Sequence, residues 1–90
     1  MATTFLRHNV NDYDEWRQVY DSVADLQRAG GVIEEAVYRS MDDPNEVLVM
    51  HRFGSLQEAR AFFESDELRA AIDKAGVKES SMRLEMYDKM

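Results

Sequence analysis

Ninety residues make one domain, and a domain this small buries only about 60–65% of the surface its unfolded chain exposes. Its 18 acidic against 11 basic residues give a net charge of −7, which argues against nucleic acid and against an anionic membrane surface. No cysteine is present to form a disulfide or a thiolate, no apolar run approaches the roughly 20 residues that span a bilayer, and the 44% hydrophobic share excludes a disordered chain.

Residues 3–10 carry β-branched and aromatic side chains and predict a strand. Asn11-Asp12 stops it, and Asp12 with Glu15 three residues on forms a helix capping box. Trp16, Val19, Tyr20, Val23 and Leu26 recur at helical spacing, so one amphipathic helix is expected over residues 12–29, ended by Gly30. Strands over residues 32–41 and 46–53 flank Asp42-Asp43-Pro44-Asn45, whose proline and asparagine suit a hairpin turn. A four-residue loop sets Met41 against Glu46, Tyr38 against Val49, Ala36 against His51 and Glu35 against Arg52; a bulge would move this register by one. Ser55 with Glu58, and then Ser65, cap two further helical segments with inward stripes Leu56, Ala59, Phe62, Phe63 and Leu68, Ala71, Ile72, Ala75. Residues 80–88 alternate Met82, Leu84 and Met86 with Arg83, Glu85 and Tyr87 and form the last strand.

The order βαββαβ predicts an α+β, ferredoxin-like sandwich over residues 1–90. Right-handed crossovers place the first and third strands at the centre of a four-stranded antiparallel sheet, with the helices on one face. Parity then divides the strands. Leu6, His8, Val10, Ala36, Tyr38, Val49, His51, Phe53, Met82, Leu84 and Met86 are expected under the helices. The other face mixes Phe5, Ile33, Val37, Leu48 and Met50 with Arg7, Glu35, Arg39, Arg52 and Glu85. It is too apolar for solvent and too charged for a core, so a second copy of the chain is expected against it.

Asp12-Tyr13-x-x-Trp16 after a strand with Arg7-His8, then Asp42-Asp43-Pro44-Asn45-Glu46-Val47, Glu67-Leu68-Arg69 and Ala75-Gly76-Val77, resemble small antibiotic biosynthesis monooxygenase-like proteins of the dimeric α+β barrel superfamily. The resemblance covers nearly the whole chain. It implies a homodimer and, as in the monooxygenases, a pocket between each subunit's sheet and helices. The superfamily also holds haem-degrading oxygenases, lactone isomerases, cyclases and non-catalytic stress proteins, so fold alone does not choose an activity. The haem-degrading members carry a helix-borne histidine, whereas both histidines here lie in strands.

His8 and His51 are the expected acid/base pair, one neutral imidazole taking a proton and the other holding an oxyanion. Trp16, Tyr20 and Tyr38 are the expected ligand-binding residues, with core packing the plainer role of Trp16. Arg7, Arg39 and Arg52 suit ion pairs at a dimer interface. Two histidines without a carboxylate at ligand spacing make no metal site, and no glycine-rich loop or hydrolytic triad stands out. The first reading is a cofactor-independent oxygenase acting on a small aromatic or polyketide-type ligand, without flavin or metal. The second is a non-catalytic dimeric binding or accessory protein whose pocket its own side chains fill. The third is an isomerase or cyclase using the same histidines. A cytoplasmic location is expected, since no leader pattern opens the chain and a reducing compartment suits a cysteine-free protein.

Overall fold

In the computed structural model, which describes residues 1–90, β1 (Ala2–Val10) buries Ala2, Thr4, Leu6, His8 and Val10 in strict alternation. The Asp12 carboxylate accepts the Glu15 amide at 3.0 Å and starts α1 (Tyr13–Ser22). The single helix expected over residues 12–29 is broken. Val23 lies outside helical geometry (φ −102°, ψ 19°), and the Ser22 hydroxyl donates to the Val19 carbonyl at 2.6 Å. A hydroxyl that competes for backbone carbonyls weakens the helical ladder at that point. α2 (Ala24–Ala29) follows and buries Gln27, which no apolar stripe marks.

Gly31, at φ 96°, turns the chain into β2 (Val32–Arg39) in a conformation that side chains rarely adopt. The hairpin to β3 (Glu46–Phe53) departs from expectation by one residue. Tyr38 pairs with Leu48, Val37 with Val49, Glu35 with His51 and Glu34 with Arg52. The cause is the turn. The Ser40 amide donates to the Glu46 carbonyl, while the Ser40 hydroxyl accepts the amides of Asp42 and Asp43, so Met41 leaves the strand and joins the loop. Because side chains alternate at every residue, that slip exchanges the two rows of β2. Glu35 and Val37 turn toward the helices; Ala36 and Tyr38 turn away. A second irregularity between Val32 and Glu34 makes Ile33 the extra residue of a bulge and returns Val32 to the helix side.

Ser55 and Ser65 cap α3 (Leu56–Glu64) and α4 (Asp66–Lys74) by accepting the amides of Glu58 and Leu68. β4 (Val77–Asp88) begins three residues before the expected start at residue 80. Its pairing with β1 slips between Arg7 and Asn9, where the Ser81 hydroxyl accepts the Asn9 amide at 2.8 Å. The strand order is β2-β3-β1-β4, all antiparallel, with β1 and β3 central as predicted. No helix is long and apolar enough to cross a membrane.

The core forms two clusters between sheet and helices. Val10, Trp16, Val47, Val49 and Ala75 make one; Ala2, Phe53, Ala59 and Phe62 make the other. α4 contributes no fully buried side chain, and Leu68 and Ile72 are half-buried. On the opposite face of the sheet Phe5, Ala36, Leu48 and Met50 are half-buried, and Tyr38 and Tyr87 are more than half exposed.

Candidate active site

Parity in β1 and β3 sends both histidines to the helix side, where His8 is 3% and His51 5% exposed. α1 lays two aromatic rings between them. The His8 ring lies 5.6 Å from Trp16, Trp16 stacks on Tyr20 at 5.0 Å, and Tyr20 is nearly parallel to His51 at 6.2 Å. Phe62 meets His51 edge-on at 5.6 Å from α3. These side chains border an apolar cavity of about 50 Å³, which Val77 and Met82 also line. Leu6, Phe63, Leu68, Ile72 and Met82 also line a surface groove of about 480 Å³ rimmed by Arg69, Glu79 and Leu84. The cavity therefore points toward the seam between α4 and β4.

Both histidines border one cavity, yet they do not face each other across one reacting atom. His8 pairs with Val47 and His51 with Thr4, so the two are offset by four residues along the central strands, about 14 Å between Cα atoms. They make two separate polar points on an apolar wall.

Their surroundings differ. Neither ring nitrogen of His8 has a hydrogen-bond partner, and burial pushes its pKa down to about 4. His51 is also pushed down to about 4 by burial, against the opposing pull of the Glu35 carboxylate. The Tyr20 hydroxyl donates to Glu35 Oε1 at 2.5 Å and lies 3.3 Å from His51 Nε2. Burial, then the hydrogen bond to Glu35, pushes the Tyr20 phenol well above its ordinary range. At neutral pH both imidazoles are therefore uncharged and Tyr20 keeps its proton.

The expected site residues are thus sorted. His8, His51, Trp16 and Tyr20 gather at the cavity. Tyr38 does not: the shifted hairpin turns it to the far face of the sheet, where it is 55% exposed. Arg39, expected among interface arginines, instead sits over the Tyr13 ring at 4.4 Å on the helix side. Glu35 was missed because the assumed register turned it outward; the correct loop length would have found it. Gln27, which lines the cavity beside Tyr20, gave no signal, since a polar residue in a helix reads as solvated. No three metal-ligating side chains converge anywhere in the chain.

No curated protein matches the sequence. Among solved structures, the chain is similar to SnoaB, a cofactor-independent oxygenase from Streptomyces nogalater, with a TM-score of 0.79 at 12% identity over 99% of this chain and 92% of that one. It is similar to a candidate antibiotic biosynthesis monooxygenase from Caulobacter crescentus CB15, with a TM-score of 0.80 at 16% identity over 99% of this chain and 89% of that one. A conserved protein from Methanosarcina mazei Go1 aligns over 100% of this chain and 94% of that one, with a TM-score of 0.78 at 14% identity. Identities this low establish the ferredoxin-like fold and nothing finer. The family model for antibiotic biosynthesis monooxygenase matches residues 4–74, a span that holds both histidines, all of α1 and the hairpin that delivers Glu35. The chain therefore belongs to the antibiotic biosynthesis monooxygenase family.

Proposed function

We propose that the chain binds a small aromatic or polyketide-type ligand between its sheet and helices and oxygenates it without a cofactor. The observation that carries this reading is His8. A buried imidazole with both nitrogens unpaired costs about 1–3 kcal/mol, and most histidines kept only for packing have a partner. Here it borders an apolar cavity and stays neutral, which leaves a lone pair free to take a proton from an acidic phenol or enol; burial disfavours the imidazolium, and the ligand anion left beside it offsets that cost. The resulting anion is the electron donor to dioxygen. The description of SnoaB as a cofactor-independent oxygenase supports the same reaction class.

The cavity volume favours a second reading. About 50 Å³ holds a few waters, whereas a cavity that binds benzene is about 150 Å³. Ligand binding therefore requires Phe63, Ile72 and Met82 to swing into the groove they share with the cavity. If they stay in place, the chain is a non-catalytic accessory protein whose side chains fill its own pocket.

Oxygen uptake with a panel of anthrones and quinols separates these readings. Wild-type protein is expected to consume oxygen, and His8→Ala to lose about 10²- to 10⁴-fold in turnover while keeping its melting temperature. Turnover without oxygen uptake identifies an isomerase or cyclase. Intact turnover in a variant destabilised by several kcal/mol makes His8 a packing residue and ends the proposal.

The outer face of the sheet supports a homodimer. Arg7 and Arg83 are direct cross-strand partners, a like-charge pair that needs nearby acids. Glu34 holds Arg52 at 3.2 Å, but Arg52 Nε is buried and unpaired. A second copy would bring Glu85 and Glu34 to these arginines and cover Phe5, Leu48 and Met50. Light scattering should give twice 10.5 kDa, and Leu48→Glu should give a folded monomer. A wild-type monomer at micromolar concentration would remove this part of the reading. The same acidic, cysteine-free composition suits a cytoplasmic location.

A further inference from the structure

The bond from Tyr20 to Glu35 separates two spaces. Inside lies the apolar cavity, with His51 and Tyr20 on its wall. Outside, between α1, α2 and β2, lies a polar cleft of about 410 Å³ lined by Arg17, Asp21, Arg28, Glu34 and Glu35. Tyr20 and Gln27 border both. His51 is buried and Glu35 is exposed, so the three side chains form a hydrogen-bonded path from the buried interior to solvent.

The direction of each bond follows from proton counting. A phenol has one proton, and the shorter bond, to a carboxylate oxygen at 2.5 Å, takes it. The contact of the same oxygen with His51 Nε2 at 3.3 Å is then attractive only if Nε2 carries the ring proton. That leaves Nδ1 as the bare lone pair.

We propose that Glu35 is a positioning residue: acting through Tyr20, it holds His51 as the Nε2–H tautomer and receives the proton that Nδ1 takes from a ligand. The proposal rests on the reading that the cavity is where a ligand reacts. The step balances. The ligand gives a proton to Nδ1, the Nε2 proton passes to the Tyr20 oxygen, and the Tyr20 proton passes to Glu35, which releases it to the cleft. The ring is left protonated on Nδ1 until the relay runs back and returns the Nε2 proton, and because the three transfers are concerted no imidazolium forms. This matters because a positive ring in that cavity is disfavoured by burial, as the lowered pKa of His51 records. His8 has no such path, so a proton taken there stays on its ring beside the ligand anion.

Nitrogen-15 spectroscopy of the imidazole rings tests this without any turnover. Wild-type His51 should show a protonated Nε2 and a bare Nδ1 at pH 7. Tyr20→Phe should release that preference toward a mixture of tautomers, and Glu35→Gln should weaken it while leaving the melting temperature within a few degrees. A wild-type His51 protonated on Nδ1, or a tautomer unchanged in Tyr20→Phe, overturns the proposal. Failure of the oxygenase reading shows separately, as the absence of any ligand-induced shift in the His8 resonances. Where a panel ligand turns over, Glu35→Gln should lower kcat at least tenfold with KM nearly unchanged; unchanged kcat also overturns it.

Discussion

Acidification from pH 7 to pH 4 is expected to destabilise the fold by about 6 kcal/mol, with much of the loss already present at pH 5. The cause is the two buried imidazoles. Each has an unfolded pKa near 6.5 and a folded value of about 4. Between those values the unfolded chain binds more protons than the folded one, so stability falls as pH falls; above pH 6.5 the contribution is complete. By linkage each ring accounts for about 2 kcal/mol at pH 5 and about 3 kcal/mol at pH 4, the pull of Glu35 being already contained in the His51 value. A domain of this size has only about 5–13 kcal/mol in total. Urea unfolding followed by circular dichroism at half-unit pH intervals measures the slope. His8→Phe should remove roughly half of it between pH 6.5 and pH 5, a window where carboxylates contribute little. A stability that stays flat across that window would show that both rings reach water.

Phe53→Ala is the most damaging single substitution expected, at about 3–5 kcal/mol. Phe53 is 0% exposed at the end of β3. It touches Phe62 at 5.6 Å and Phe63 at 6.2 Å between ring centroids, and it packs in the same cluster as Ala2 and Ala59. Two of its cluster partners are alanines, which have no side-chain length to fill a gap. The gap also opens beside His51, whose ring meets Phe53 edge-on at 6.2 Å. Chemical denaturation should show a lower midpoint with an unchanged slope. A loss below about 1.5 kcal/mol would mean that Phe62 and Phe63 collapse into the vacated space.

The two central strands were legible because their alternation is clean. β1 buries every second residue from Ala2 to Val10, and β3 buries Val47, Val49, His51 and Phe53. Those rows placed His8 and His51 correctly. The helix starts were legible because Asp12, Ser55 and Ser65 cap them by short-range hydrogen bonds that the residue types announce. The edge strand was not legible. Val32-Ile33-Glu34-Glu35-Ala36-Val37 has no alternation strong enough to fix its own register, so the turn decides. The turn is decided by Ser40, whose hydroxyl captures two amides and lengthens the loop by one residue. That detail moved Tyr38 out of the site and Glu35 into it. The break at Val23 was hidden for a similar reason: Trp16 to Leu26 keep helical spacing across it, and only the Ser22 hydroxyl disturbs the backbone.

α4 packs over β4 with half-buried Leu68, Ala71 and Ile72, and only Ala75, just past its end, is fully buried. A helix fixed so lightly is among the first parts of a fold to detach, well before global unfolding. On the proposed ligand-binding reading, entry to the imidazoles would follow how often that one segment loosens, and a tighter α4 would give a sturdier molecule that admits a guest more slowly.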